Sequence, residues 1–234
     1  MKYLRELIRT LKYKAKFISK NKKTRLNYVV NSSTNSKLTE LMNHYGSDKG
    51  GKNNHHNYSE YYSEIFFHKK KEVKNFLEIG LGTNNINMAS NMGVEGVPLA
   101  SLRAWRDYFE NASIYGADID KDILLNEDRI KTFFVDQTNP ETINLLFQKI
   151  GVDSFDVILE DGLHEYNANI CFFENSIKYL SNNGIYIIED VYYKDKKRFI
   201  NYFKNTNYNY AIIDIFHEKN IANNCIVIVR KNDA

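Results

Sequence analysis

The chain has 234 residues, 43% of them hydrophobic and 26% charged, with a formal net charge of +3. That is enough apolar material for one sizeable core, and it argues against a globally disordered chain. No apolar run approaches the roughly 18 residues that span a bilayer. Two cysteines without C-x-x-C spacing, Cys171 and Cys225, speak against a disulfide framework or a zinc site and suit a reducing compartment. With no signal-peptide pattern at the start, the chain reads as cytoplasmic. The charge is unevenly spread. Residues 1–30 hold ten Lys/Arg against the single acid Glu6, a local +9 that leaves −6 for the remainder. An acidic main domain does not suit a nucleic-acid partner.

In chain order, Leu4, Leu7, Ile8, Leu11 and Ala15 recur at helical spacing with basic residues between them, which predicts a helix over residues 1–17. Such a helix can lie on an acidic membrane surface, dock a partner, or pack on its own domain or a second subunit. A polar stretch over residues 31–36 reads as a linker, so residues 1–36 form a basic helical extension. Residues 37–75 form a helical cap or lid segment. Within it, a glycine-rich polar loop carries Ser47, Asp48 and Lys49, suited either to covering a polar ligand or to a surface turn. The neighbours His55 and His56 point apart along a chain and do not suggest a metal pair. Aromatic residues from Tyr58 to Phe67 recur at helical spacing and read as core. These aromatic helices offer a subunit interface as readily as a lid, and a homo-oligomer is expected.

From residue 76 to 234 the pattern is strand, helix, strand, helix. Phe76-Leu-Glu-Ile-Gly-Leu-Gly82 reads as a buried parallel strand leading into a turn that glycines keep clear of side chains. A polar insertion over residues 83–100 precedes a helix for which Ser101 is the expected N-cap. Strands are expected at residues 113–119, 132–135, 155–159 and 184–188. Two final strands, 208–216 and 225–230, have no helix between them and predict an antiparallel pair at the sheet edge. Five successive strands end in acids: Glu78, Asp118 with Asp120, Asp136 beside Gln137, Asp161, and Glu189-Asp190. In an open parallel sheet those ends line one crevice, where ligands bind. The second strand's acid suits a ribose diol and the third's an exocyclic adenine amine. The absence of G-x-G-x-x-G and the antiparallel end argue against a nicotinamide dehydrogenase and favour the Rossmann-like class I sheet of S-adenosylmethionine (SAM) methyltransferases. Asp161, Glu189 and Asp190 also offer an all-oxygen site for Mg²⁺ or Mn²⁺. His164, three residues beyond Asp161, could take a hydroxyl proton.

Several stretches together resemble the metal-dependent, SAM-dependent sugar O-methyltransferases that act on macrolide sugars. They are Tyr45-Gly-Ser-Asp-Lys49, His56-Asn-Tyr58, Leu77-Glu-Ile-Gly-Leu-Gly82, Ser101-Leu-Arg-Ala-Trp-Arg-Asp-Tyr-Phe109, Ile114-Tyr-Gly-Ala-Asp-Ile-Asp120, Asp136-Gln137, Glu160-Asp-Gly-Leu-His164 and Ile188-Glu-Asp190. The resemblance spans about residues 41–190. It implies Asp161, Glu189 and Asp190 as metal ligands and His164 as catalytic base. The cofactor would be held by Ser47, Lys49, Tyr58, Glu78, Gly80, Gly82, Ser101, Asp118, Asp120, Asp136 and Gln137. Where that family usually reads Asp-Asp-Gly-Ser-His, this chain has Glu160 and Leu163. A macrolide acceptor does not carry over, because it needs N-terminal elements that this chain is too short to supply. The expected acceptor is a sugar or nucleotide sugar, in glycan, capsule or nucleotide-sugar tailoring. The competing readings are a phosphoryl-type or phenolic acceptor, or a SAM-binding subunit without catalysis.

Overall fold

The computed structural model describes residues 25–28, 36–52, 56–217, 219–220 and 222–232; the helix expected over residues 1–17, and His55, fall outside them. The strands are β1 (Arg25–Tyr28), β2 (Asn75–Ile79), β3 (Ser113–Asp118), β4 (Ile130–Phe134), β5 (Phe155–Glu160), β6 (Leu180–Ile188), β7 (Tyr208–Ile215) and β8 (Cys225–Lys231). The helices are α1 (Lys37–Tyr45), α2 (Tyr58–Phe66), α3 (Ala100–Tyr108), α4 (Pro140–Ile150), α5 (Tyr166–Ser176) and α6 (Lys196–Lys204).

Alternation of buried side chains assigns the two faces of the sheet. Phe76, Ile114, Val157, Leu159, Ile185 and Ile187 share a core with Leu38 and Met42 of α1, Tyr62 and Phe66 of α2, and Trp105 of α3. Leu77, Ile79, Ile158, Tyr186 and Ile188 point the other way, onto Phe147 of α4, Phe172 and Phe173 of α5, and Phe199 and Phe203 of α6. A sheet covered on both faces explains why its central strands read as continuous apolar runs.

The strand order is β1-β7-β8-β6-β5-β2-β3-β4. All neighbours pair parallel except β8, which runs antiparallel to both β6 and β7. The antiparallel last strand is thus as expected, but its place is not. β8 lies inside the sheet, and β7 is covered in turn by β1, a short strand within the stretch expected to be only helix and linker. Four residues without an alternating apolar pattern give little sequence signal. The chain leaves β2 towards β3 and β4, then returns to β5 on the other side of β2. The crevice between β2 and β5 is therefore the topological switch point, where ligands of such sheets bind.

A carboxylate-lined cleft at the switch point

At that crevice, β2 ends in a turn with Gly80 at φ +83° and Gly82 at φ +75°. Both positions favour glycine on backbone grounds alone. Space adds a second reason. A Cβ on Gly80 would overlap the carbonyl oxygen of Asp161, and one on Gly82 would overlap the thioether of Met92. The loops after β2 and β5 therefore touch, tied by the Asp161 N–H donating to the Ile79 carbonyl (2.9 Å). Asp118 at the end of β3 accepts from the Leu81 N–H (2.6 Å), which clamps the glycine turn to the next strand. The turn opens into a cleft that is open at its mouth. Of the residues expected at the cofactor, Ser47, Lys49, Gly80, Gly82, Ser101, Asp118, Asp136 and Gln137 line it, joined by Asp161 and His164.

The N-cap expectation needs correcting, and three other side chains are engaged by the protein itself. Ser101 does not cap α3. The chain enters that helix through Leu99 at φ +64°, whose N–H donates to Leu81 O (2.9 Å), and Ser101 sits in the first turn beside the cleft. The Asp120 carboxylate is turned to the protein, accepting from Thr83 Oγ1 and from the Asp122 N–H (3.0 Å). Gln137 lines the cleft, yet its amide bridges two elements. Nε2 donates to Glu160 Oε1 (3.0 Å) and Oε1 accepts from the Leu163 N–H (2.6 Å). Tyr58 is outside the cleft lining. Its hydroxyl donates to Asp190 Oδ1 (2.7 Å) and to the Asn223 carbonyl (3.0 Å).

Lys49 occupies the centre of the strand-end acids. Its ammonium is buried, donates to Asp161 Oδ2 and to Glu189 Oε2 (2.6 Å), and lies 3.6 Å from Glu78 Oε1. Glu189 also accepts from Tyr62 Oη (2.5 Å) through its other oxygen, so both of its oxygens are taken. The group whose ligand atoms converge, all within 4.8 Å of one another, is Asp161, His164 and Asp190. His164 Nε2 is 3.1 Å from Asp161 Oδ1 and its Nδ1 is 3.6 Å from Asp190 Oδ2. His164 itself adopts φ +59° and Asp190 φ +53°. Both residues therefore hold left-handed backbone, a strain that clusters at functional sites. Tyr62 was legible only as core, since it falls in the aromatic stripe. The signal available was a hydroxyl inside an otherwise apolar face, which needs a partner when buried.

The electrostatics follow from burial and from these neighbours. Burial would lower the His164 pKa, but Asp161, Asp190 and Glu160 outweigh it and raise the imidazole to about 10. Burial alone would raise Asp161, yet Lys49 and His164 hold it well below the usual carboxylate range. Burial pushes Glu189 and Asp190 up. It also pushes Glu78 up to about 7, with Lys49 pulling it back and Asp161 adding to the rise. Both Glu78 oxygens are buried and lack a close hydrogen bond, with the Lys49 ammonium at 3.6 Å as charge partner and Ser101 as a weaker donor.

The sheet is of the Rossmann-like class I type found in SAM methyltransferases. No protein-family model matches the chain. Among curated proteins it is similar to the 8-demethyl-8-alpha-L-rhamnosyl tetracenomycin-C 2'-O-methyltransferase of Streptomyces olivaceus, 29% identical over 154 residues, or 66% of this chain and 37% of that protein. Demethylmacrocin O-methyltransferase of Streptomyces fradiae is 29% identical over 155 residues, 66% of this chain and 36% of that one. Among solved structures, MycE methyltransferase in complex with Mg, SAH and mycinamycin VI is 28% identical, with TM-score 0.55 over 68% of this chain and 38% of the other. MycE with Mg and SAH in a second crystal form reaches TM-score 0.64 at 21% identity, over 86% of this chain and 54% of the other. The homologues are thus sugar O-methyltransferases, and the chain spans little more than a third of the length of the curated relatives it matches.

Proposed function

We propose that this chain transfers a methyl group from S-adenosylmethionine to a hydroxyl of a sugar, with a divalent metal, Mg²⁺ or Mn²⁺, and with His164 as the base. The carrying observation is the convergence of Asp161, His164 and Asp190 at the cleft whose other wall is the glycine turn. The two carboxylates offer the oxygen ligands that a hard divalent cation prefers, and the imidazole beside them is left to act as base. Glu78, buried at the start of the turn with Lys49 at 3.6 Å, adds negative charge near a cationic cofactor group. When bound, the cation would lower the pKa of the hydroxyl and orient it, and S-adenosylmethionine would supply the methyl.

The residues of the chain do the rest. Gly80 and Gly82 let the donor approach the backbone, and Asp118 and Asp136 offer acceptors to a ribose and an adenine along the same wall. Lys49 holds Asp161 and Glu189 in place, while Tyr58 and Tyr62 fix Asp190 and Glu189 by donating to one oxygen of each. His164 is placed to hold the hydroxyl proton once a cation on Asp161 and Asp190 offsets the carboxylates that otherwise keep the imidazole protonated. Glu189 joins the metal shell only by exchanging Lys49 or Tyr62 for the ion. The test is His164→Ala, measured for both SAM binding and methyl transfer. Retained binding with transfer lowered about 100-fold or more is the expected loss of a general base. Full transfer by the variant would remove His164 from the mechanism. Binding without transfer in the unsubstituted protein, across a wide sugar panel, would instead favour a non-catalytic SAM-binding role.

A further inference from the structure

Just beyond Asp190, two tyrosine rings face solvent: Tyr192 is 42% exposed and Tyr193 is 65% exposed. They are not on a loose segment. The Val191 N–H donates to Cys225 O (3.0 Å), the Tyr193 N–H to Ala222 O (3.1 Å) and the Asp195 N–H to Tyr192 O (2.9 Å). Backbone reach keeps their Cα atoms within about 8 and about 11 Å of the Cα of Asp190, whose carboxylate faces His164. On the His164 side, Tyr166 follows two residues later, and the guanidinium of Arg198 lies 3.8 Å from its ring centre. Arg198 also donates to Asp195 Oδ1 (3.0 Å), so the tyrosine turn and the starts of α5 and α6 form one connected rim.

The rim is basic as well as aromatic. Lys194 Nζ lies 5.6 Å from the Tyr192 ring and Lys196 Nζ 5.7 Å from the Tyr193 ring. Lys196 is paired with Asp214 and Arg198 with Asp195. That leaves Lys194 and Lys197, both exposed, without a carboxylate partner among the described residues. The floor of the site has the opposite character, with Glu160, Asp161, Glu189 and Asp190 close together. An anionic group would find cations without carboxylate partners at the rim, whereas Lys49 in the floor is already held by Asp161 and Glu189. Immobilised aromatic faces in water mark a binding surface, and the C–H face of a sugar ring is a matching apolar plane with hydroxyls at its edge.

We propose that this rim binds the acceptor and that the acceptor is a phosphorylated saccharide, its ring against Tyr192 and Tyr193 and its phosphate at Lys194 and Lys197. The inference rests on the methyl-transfer reading for what happens to the sugar, but its binding claim stands apart. A sugar phosphate and a nucleoside diphosphate sugar share this chemistry. The test is calorimetric titration of the full chain, loaded with S-adenosylhomocysteine and Mg²⁺, with glucose 1-phosphate, UDP-glucose and methyl glucoside. The phosphorylated probes should bind about tenfold or more tighter than methyl glucoside, the scale of one or two charge-assisted hydrogen bonds. The double substitution Lys194→Ala/Lys197→Ala should erase that advantage and leave S-adenosylhomocysteine affinity unchanged, whereas Tyr193→Ala should weaken all three probes. UDP-glucose binding above glucose 1-phosphate would assign the acceptor to nucleotide sugars, and equal binding to sugar phosphates. The proposal is overturned if no phosphorylated probe binds, if methyl glucoside binds equally well, or if the advantage survives the double substitution, as simple phosphate coordination to Mg²⁺ would produce. Failure of methyl transfer with this binding pattern intact would fault the activity proposed above and not the rim.

Discussion

Lys49 is the residue on which the electrostatics of the site turn. Three carboxylates, the buried Glu78 and Glu189 and the partly exposed Asp161, face one ammonium. Removing one partner of a buried ionic group leaves uncompensated charge, at a cost of about 3–5 kcal/mol. Lys49→Met should therefore lower the melting temperature sharply. Mg²⁺ should recover more of that loss in the variant than it adds to the parent, which differential scanning calorimetry with and without the metal will show. Glu78 tests the same balance from the acidic side. Its folded-state pKa lies above the unfolded one, so folding is penalised as pH rises from the ordinary carboxylate range to about 7, and by a constant amount beyond that. Glu78→Gln should accordingly be more stable than the parent at pH 8, by about 1–3 kcal/mol, and indistinguishable at pH 4. It should also bind SAM more weakly. Equal stability at pH 8 would mean that Glu78 is not strained by burial.

At the scale of elements, two contacts between strand ends and helices decide the geometry. Gly80 lets the loops after β2 and β5 meet, so Gly80→Ala places a methyl group on the Asp161 carbonyl at a left-handed backbone position. The expected outcome is a loss of about 2 kcal/mol or more of stability, together with loss of methyl transfer, read by chemical denaturation and product assay. Tyr62 of α2 reaches across to Glu189 at the end of β6, and Tyr62→Phe should cost about 1–2 kcal/mol for the buried acceptor left without its donor. The strand ends were legible in the sequence because each combines an apolar run with a terminal acid, and the parallel register follows from that repetition. What α2 does was not legible. An aromatic stripe at helical spacing looks the same whether its hydroxyls face apolar neighbours or carboxylates, and only the fold brings residue 62 to residue 189. Lys49 was legible as part of a polar loop, but its insertion among three acids depends on how that loop folds over the strand ends. The antiparallel β8 was foreseen from the missing helix before it. Its position between β6 and β7 was not, since strand order is set by packing between distant segments.

For the whole molecule, the sheet brings its acids together because the chain reverses direction at β2, and that one topological fact places Asp118 and Asp161 on the two sides of Gly80. The homologues carry the matched core within longer chains, of which it makes up 37%. Among the described residues no helix is long and apolar enough to cross a membrane. The central claim is that a metal held at the Asp161 and Asp190 carboxylates, beside the base His164, makes a sugar hydroxyl a methyl acceptor. The most direct measurement is formation of S-adenosylhomocysteine from SAM and a panel of sugars and nucleotide sugars, with Mg²⁺, with EDTA, and with Mg²⁺ restored after EDTA. Turnover that EDTA abolishes and Mg²⁺ restores is the expected result. Turnover that EDTA leaves untouched would contradict the metal site while leaving the SAM cleft in place.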